Sequence, residues 1–292
     1  AARRDFCIYY FFVPLQVMLY CKYYIIFILS YLLPLLSVAQ SGIHPEGKTV
    51  AARFGVPSGY YRTDTAPATF AFFLQHLPLL PSETPVKFYD GVPHTASHPA
   101  AVIDMETGDK NLQQNVQTVI RLWAEYLFEQ QQFPDIHFHI NNGEIIPYEQ
   151  WAQGMKLVIN RKAYWTKTPS NPRLYQTFRR YLNFIFTNSD FQTLSQDLEL
   201  SAATNIAPGD ILVSGNDTDN YVVMVLDVAI HQETGETLVL LVSGGNPAQS
   251  IQVLQNTGEN ETTGAWFPVN SDGVLVIDNR SFSTAQRYRF RS

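Results

Sequence analysis

Near residue 208 the chain changes from helical periodicity to runs of β-branched residues, and this change limits the folds that it can adopt. After Pro208-Gly209-Asp210, β-branched and apolar runs predict strands over 211–213, 221–228 and 237–243. A turn at 232–235 joins the last two strands as an antiparallel hairpin. Because helical patterns precede these strands, the order of elements predicts an α+β fold. Shorter strands are predicted at 86–89, 100–104, 136–140, 155–160, 251–254, 265–269 and 274–277.

The strongest helix signal covers residues 111–131, where apolar residues recur three and four positions apart. One face of this helix must therefore pack on a core. On it, Arg121 and Glu125 lie one turn apart, which predicts a surface ion pair worth a few tenths of a kcal/mol. A second amphipathic helix is predicted at 172–187, with a buried face formed by Tyr175, Phe178, Tyr181, Leu182 and Ile185. Shorter helices are predicted at 67–76 and 148–154.

The N-terminal region has the pattern of a leader for export. After Met18, a short segment with Lys22 precedes an apolar run over 25–36, and the small residues Ser37-Val38-Ala39 follow it. We interpret residues 1–39 as an upstream segment and a signal peptide that is cleaved after Ala39. The alternative is an uncleaved membrane anchor, because the apolar run and its flanks approach the ~20 residues that a spanning helix needs.

Cleavage there predicts a single globular domain over 40–292, periplasmic or secreted, with no membrane contact after the signal is removed. Both cysteines, Cys7 and Cys21, precede the cleavage position. The mature domain is therefore expected to contain no disulfide, no thiolate nucleophile and no cysteine ligand for a metal. With 46% apolar residues, the chain can bury a large core.

Charge and motifs exclude several functions. The formal net charge is −6, and no run of Lys and Arg with interleaved aromatic residues is present. An acidic surface repels phosphate backbones, so we expect no nucleic-acid partner. The sequence has no Gly-rich phosphate loop after a strand, no GxSxG nucleophile motif and no HExxH helix. We therefore expect no cofactor.

Two histidines form a weak candidate for a metal site. His137 and His139 alternate with apolar residues on the predicted strand 136–140, so their imidazoles share one side, about 7 Å apart. That spacing permits chelation, but a catalytic zinc needs a third protein ligand, and no recognised partner spacing is present. The alternative is that both imidazoles are solvated or hydrogen-bonded, and we predict no metal site.

Carboxylates at predicted strand ends form a second weak candidate. Tyr89-Asp90-Gly91 and Asp104-Met105-Glu106 bracket one loop, where two carboxylates about 5–10 Å apart could act as acid and base. Asp-Gly is also an ordinary turn signal. Tyr89 and Asp90 therefore stay candidates beside a simple turn.

The long helix, the strand after Pro208-Gly209-Asp210 and the two strands that follow resemble papain-like cell-wall hydrolases of the NlpC type. The chain is more closely similar to a secreted bacterial family known as domain of unknown function 4846. The segments that carry this resemblance are 109–128 (DKNLQQNVQTVIRLWAEYLF), 136–143, 206–229 and 238–249. The resemblance covers roughly residues 53 to 282 and implies a papain-like core with N-terminal additions.

In papain-like enzymes, a cysteine at a helix N-terminus is activated by a histidine on a facing strand, which a polar residue on the next strand orients. The resemblance places these roles at Asn115, which follows Gln113 and Gln114, at Tyr221 and at Ser243. Asparagine cannot form a thiolate, and free tyrosine, with a pKa near about 10, is a poor base. The resemblance thus implies a pocket at Gln114, Asn115, Tyr221 and Ser243 that lacks catalytic groups.

Three functions follow as hypotheses. The first is a non-catalytic protein that binds a cell-envelope ligand such as peptidoglycan, which the absence of a mature cysteine favours. The second is a peptidoglycan or glycan hydrolase that uses carboxylates or His137 and His139. The third is a structural or interaction module, for which an exposed apolar patch is expected instead of a concave polar pocket.

Overall fold

The computed structural model describes residues 42–159, 163–169, 174–201, 205–215, 220–258, 264–277 and 280–291. The helices are α1 (Val50–Arg53), α2 (Phe70–Gln75), α3 (Asn115–Glu129), α4 (Tyr148–Ala152), α5 (Tyr175–Thr187) and α6 (Phe191–Asp197), and a 3₁₀ helix covers Phe133–Asp135. The strands are β1 (Tyr60–Arg62), β2 (Ala101–Val102), β3 (His137–His139), β4 (Ile145–Pro147), β5 (Met155–Ile159), β6 (Ala163–Lys167), β7 (Leu198–Leu200), β8 (Ile211–Ser214), β9 (Tyr221–His231), β10 (Thr237–Ser243), β11 (Gln252–Val253), β12 (Phe267–Pro268), β13 (Val274–Ile277), β14 (Arg280–Ser283) and β15 (Tyr288–Phe290). The predicted signal peptide, with Cys7 and Cys21, lies outside the described residues.

The hairpin β9–β10 forms the centre of a nine-stranded antiparallel sheet. The strand order is β2-β11-β10-β9-β8-β15-β7, and β1 and β12 add to β9 and β10 respectively. Because β10 occupies one edge of β9, strands β1 and β8 share its other edge at opposite ends. Tyr60 lies opposite His231 at one end, and Ser214 lies opposite Tyr221 at the other. Strands from the N-terminal half therefore complete a sheet whose centre comes from the C-terminal half.

Alternate residues of β9 pack on opposite faces of this sheet, as the period of two requires. Val222 and Met224 pack in the core beneath the helices. Val223 and Val225 pack on the other face, with Phe282 of the hairpin β13–β14. The long helix α3 lies against β9 on the first face. This arrangement confirms the predicted α+β class, with a long helix packed on an antiparallel sheet.

Most predicted elements are present, several with shorter bounds and β8 and β9 with longer ones, and one strand prediction is wrong. Residues 160, 172 and 173 of the predictions lie outside the described residues. Residues 86–89 form only isolated bridges, from Lys87 to Pro93 and from Phe88 to Gln249. Pairing stops there because Asp90 begins a turn, in which its Oδ1 accepts a hydrogen bond from the Val92 amide at 3.1 Å. Within the described ranges, no helix is both long and apolar enough to cross a membrane.

The prediction of a surface ion pair on the long helix is also wrong. Arg121 is fully buried, and its Nε lies 2.5 Å from Glu125 Oε1. Its guanidinium also donates to Gln113 Oε1 at 2.7 Å and to the Tyr175 hydroxyl at 2.9 Å. Tyr175 in turn is 46% exposed, so it does not belong to the buried face of α5. The helix α5 instead buries Phe178, Tyr181, Leu182 and Ile185 as predicted.

Candidate functional site

A cleft of about 1100 Å³ opens where α3 and β9 begin. Residues 114–117 at the start of α3 form one wall, and the segment 189–195, which includes the cap and most of α6, forms another. Asn220, Tyr221, Asn246 and Arg280 complete the lining. Of the four residues predicted for the pocket, Gln114, Asn115 and Tyr221 line this cleft. Ser243 lies behind Asn115.

The lining is rich in neutral groups that form hydrogen bonds. Asp190 and Arg280 supply the charged side chains, and the others are mostly amides and hydroxyls: Gln114, Asn115, Gln117, Gln192, Asn220, Asn246, Ser189, Ser195 and Tyr221. Gln192 and Asn246 are exposed. In the described part of the chain, their side-chain amides have no protein partner. Because an amide both donates and accepts, these groups are suited to hydroxyl and amide groups of a ligand.

Asn115 joins the start of α3 to the central hairpin. Its Nδ2 donates to the Val222 carbonyl at 2.8 Å and to Ser243 Oγ at 2.7 Å. Its Oδ1 accepts from the Val222 amide at 2.8 Å. Only 7% of Asn115 and 1% of Ser243 are exposed. The structure thus brings Asn115 and Ser243 together in a buried polar cross-link, and the amide of Asn115 is engaged at both ends.

Replacement of Asn115 with alanine is expected to lower the free energy of unfolding by about 1–3 kcal/mol, because the buried Val222 amide loses its acceptor. Urea denaturation measures this loss. The neighbouring Gln114→Ala variant is the control, and we expect little change. Within the described ranges, that side chain bonds only Asn111, at 3.1 Å on the surface. Unchanged stability together with lost ligand binding in Asn115→Ala would instead identify Asn115 as a ligand contact.

Tyr221 lies at the junction of the cleft with the back of the sheet. Its ring packs against Phe282 with centroids 6.4 Å apart, and the Arg280 guanidinium lies 5.3 Å from its ring centroid. The hydrogen bonds of Asn115 run to the neighbouring residue, Val222. The Tyr221 ring thus packs on the face of the sheet opposite to α3, and the structure does not bring it to Asn115. The backbone of the next residue supports α3 instead.

Gly244 lets the end of β10 approach the helix closely. A Cβ atom at this position would lie 2.1 Å from Thr118 Oγ1. That hydroxyl donates to the Gln114 carbonyl at 2.9 Å, within the first turn of α3. The close contact fixes the loop after β10 beside α3, and so places Asn246 at the rim of the cleft.

Sequence reasoning missed the wall formed by residues 189–195. Asp190 caps α6, because its Oδ1 accepts from the Thr193 amide at 3.0 Å and the Asp190 amide donates to Thr193 Oγ1 at 2.9 Å. Gln117 connects this wall to α3 by donating to the Ser189 carbonyl at 2.9 Å. The spacing of Asp190 and Thr193 before an apolar residue is a helix-start signal that could have revealed the wall.

The weaker candidates lie outside the cleft. His139 Nδ1 is 2.5 Å from Asp197 Oδ1, and the His139 amide also donates to this carboxylate. Burial raises the pKa of Asp197, and the hydrogen bonds from His139 oppose that shift. His137 is exposed on the same strand. The described ranges contain no group of three or more His, Cys, Asp or Glu side chains arranged to hold a metal.

Tyr89 and Asp90 belong to the surface turn described above. Asp90 is exposed, and so are Asp104 and Glu106 at the other end of the loop. These residues contribute nothing to the cleft. The structure thus assigns Asp90 to turn formation and separates it from Asn115 and Tyr221.

Comparison with known proteins identifies one family. A family model described as "Domain of unknown function (4846)" matches residues 50–289 and so includes every residue that lines the cleft. No curated protein matches the chain, and no solved structure matches it.

Proposed function

The chain belongs to the domain of unknown function 4846 family, and we propose that this domain is a non-catalytic module that binds a neutral glycan of the cell envelope. The sugar backbone of peptidoglycan is the ligand that we favour. The observation that carries the proposal is the cleft itself, whose amide and hydroxyl lining includes the amides of Gln192 and Asn246, which have no partner among the described residues. Sugars present hydroxyl and acetamido groups, which such amides bind as donors and acceptors.

We propose further that the scaffold is a papain-like core that has lost catalysis. The start of a long helix, the start of one strand and the end of the next meet at Asn115, Val222 and Ser243. The meeting of one helix and two strands supports the resemblance to papain-like hydrolases. The position predicted for the histidine, Tyr221, differs from it, because its ring packs with Phe282 on the other face of the sheet. The same bonds argue against catalysis at these positions, because Asn115 is engaged on both sides and Ser243 donates to the Val222 carbonyl at 3.2 Å. Neither residue then acts as a nucleophile.

Export completes the proposal, since a glycan of the envelope lies outside the cytoplasm. Cleavage after Ala39 would release the domain into the periplasm or the medium. N-terminal sequencing of exported protein is expected to begin at Gln40. A start upstream of Gln40 would contradict cleavage at this position.

Binding is tested by sedimentation with purified peptidoglycan and by mass spectrometry of the supernatant. We expect the protein to sediment with the polymer and to release no soluble fragments. Soluble fragments would identify a hydrolase and overturn the non-catalytic assignment. Failure to sediment would contradict peptidoglycan as the ligand and would favour an interaction module.

The cleft is tested by Gln192→Ala and Asn246→Ala. Each variant loses hydrogen bonds worth about 0.5–1.5 kcal/mol, so we expect roughly three- to tenfold weaker binding. Gln150→Ala is the matched control, because this exposed glutamine lies on α4 and does not line the cleft. Equal affinities of Gln192→Ala, Asn246→Ala and Gln150→Ala would place the ligand elsewhere on the protein.

A further inference from the structure

A second cavity, of about 350 Å³, adjoins the cleft. Tyr221 and Asn246 line both cavities, so these two residues form their common boundary. The remaining walls of the second cavity come from the segment 94–98 and from residues 244–257. Of the residues predicted for the pocket, Tyr221 is the one that lines this cavity, and its other walls were not predicted because they are far apart along the chain.

The second cavity shares the amide and hydroxyl groups of the cleft, and it has His94 and His98 where the cleft has Asp190 and Arg280. Its lining contains the amides of Gln249, Gln252 and Gln255 and the hydroxyls of Ser97 and Thr257. Among the residues that the structure describes, the lining of this cavity includes no Asp, Glu, Lys or Arg. A neutral hydrogen-bonding ligand therefore meets similar groups on both sides of Tyr221 and Asn246.

Hydrogen bonds to buried amides hold the second cavity in place. The side chains of His94 and Gln249 are joined at 2.8 Å, and Ser97 Oγ donates to Gln252 Oε1 at 2.7 Å. Gln249 and Gln252 are only 4% and 9% exposed, and the His94 ring stacks on Phe88 with centroids 4.5 Å apart. These contacts connect the segment 94–98 to β11 and to the loop before it. The cavity is therefore preformed.

Gly245 lets the backbone approach the side chain of Gln249 closely. A Cβ atom on Gly245 would lie 2.4 Å from Gln249 Cδ, so the backbone packs directly on this buried amide. The chain then exposes Asn246, which faces both cavities. Its amide thus serves the cleft on one side and the second cavity on the other.

We propose that the two cavities form one groove, and that the ligand is a linear oligosaccharide that crosses Tyr221 and Asn246. This inference rests on the proposed function and specifies the length of its ligand. A groove with two connected subsites binds a chain that fills both more tightly than a chain that fills one, because the second contact becomes intramolecular. Pockets for small ligands measure about 300–1,000 Å³. The second cavity, at about 350 Å³, lies within this range, and the cleft, at about 1100 Å³, lies slightly above it.

The test is calorimetric titration with peptidoglycan glycan strands that are freed of peptides, have their lactyl carboxylates converted to uncharged amides, and are sorted into disaccharides, tetrasaccharides and octasaccharides. We expect at least about tenfold tighter binding of the longer strands than of the disaccharide. His98→Ala and Thr257→Ala alter exposed residues that line only the second cavity. Both variants are expected to weaken tetrasaccharide binding roughly three- to tenfold, because the tetrasaccharide reaches the second cavity. Disaccharide binding is expected to stay unchanged, because the disaccharide fills the cleft.

Two further variants separate the groove from the cleft. Gln192 lines the cleft and does not line the second cavity. Because strands of every length are expected to fill the cleft, Gln192→Ala is expected to weaken the binding of all of them. His137→Ala is the control for histidine removal, since His137 is exposed on β3. Binding that does not depend on length, with His98→Ala and Thr257→Ala unchanged, would overturn the single groove and leave the proposed function intact. Absence of binding at every length would overturn both.

Discussion

Replacement of Arg121 with alanine is expected to lower the free energy of unfolding by about 3–5 kcal/mol, because it removes one partner of a buried ion pair. Arg121 is fully buried, and the side chain of Glu125 is only 12% exposed. Without the guanidinium, this carboxylate loses the opposite charge of its ion pair. Gln113 Oε1 and the Tyr175 hydroxyl also lose their donor. The truncation leaves a cavity as well, which adds to the loss.

Urea denaturation monitored by tryptophan fluorescence measures this effect. Arg180→Ala removes an exposed arginine from the neighbouring helix α5, and we expect a change within about 0.5 kcal/mol. The double variant Arg121→Met with Glu125→Gln is expected to recover part of the stability, because it removes both charges and refills the space. A loss below about 1 kcal/mol in Arg121→Ala would show that the pair behaves as the surface pair of the sequence-based prediction.

The long helix and the central hairpin could be predicted because their patterns are local. Apolar residues at helical spacing identify α3, and β-branched runs on both sides of a turn identify β9 and β10. The structure confirms these elements over Asn115–Glu129, Tyr221–His231 and Thr237–Ser243. Their packing against each other also follows, since each has a face that must be buried.

Strands whose partners are distant in sequence could not be predicted from the same patterns. β7 is Leu-Glu-Leu and β15 is Tyr-Arg-Phe, and each is three residues long. They pair with each other, and β15 also pairs with β8. Three residues give too little alternation to separate a strand from a loop. Their assignment depends on tertiary contacts that the sequence does not display.

The burial of Arg121 and Glu125 also could not be predicted from the sequence. The spacing of Arg121 and Glu125 is the same for a surface pair and for a buried one, because spacing reports only that two side chains share a helix face. Partners from other segments decide the difference. Here Gln113 and Tyr175 come from outside α3 and enclose the guanidinium.

Part of the candidate site could be predicted, and part could not. The family resemblance indicated Asn115, Ser243 and Tyr221, and the structure joins the first two by a hydrogen bond of 2.7 Å. The role of Asn115 as a cross-link could not be predicted, because it depends on the Val222 backbone. The wall at 189–195 and the second cavity were missed, since they depend on how separate loops meet.

Pro208-Gly209-Asp210 shows how a motif can report local structure. Gly209 has a φ of +91°, and a Cβ atom there would lie 3.0 Å from the Phe70 ring. Asp210 is fully buried, and its Oδ2 accepts from the Ala207 amide at 2.8 Å. The motif therefore forms a tight turn that holds a buried carboxylate directly before β8. In this fold the carboxylate meets arginines near the C-terminus.

Replacement of Asp210 with alanine is expected to lower the free energy of unfolding by about 3–5 kcal/mol. Asp210 Oδ2 lies 3.2 Å from Arg287 Nε, and Asp210 Oδ1 pairs with Arg289 Nε. Since Arg287 is only 8% exposed, its charge would stay buried without this carboxylate. The largest fall in local stability is expected at β15, because the ion pairs of Asp210 connect β15 to the start of β8. Urea denaturation measures the global effect, and hydrogen exchange at the Tyr288 amide reports β15.

Glu199→Ala provides the matched control for Asp210→Ala. Glu199 lies opposite Arg289 in the β7–β15 pairing, but it is exposed, so its removal should change stability by less than about 1 kcal/mol. Asp210→Asn is expected to fall between the two, because an amide oxygen still accepts from the Ala207 amide while the charge is lost. Equal stabilities of Asp210→Ala and Glu199→Ala would contradict a structural role for the buried carboxylate. In that case, the Pro-Gly-Asp turn would depend on Gly209 and its contact with Phe70 instead.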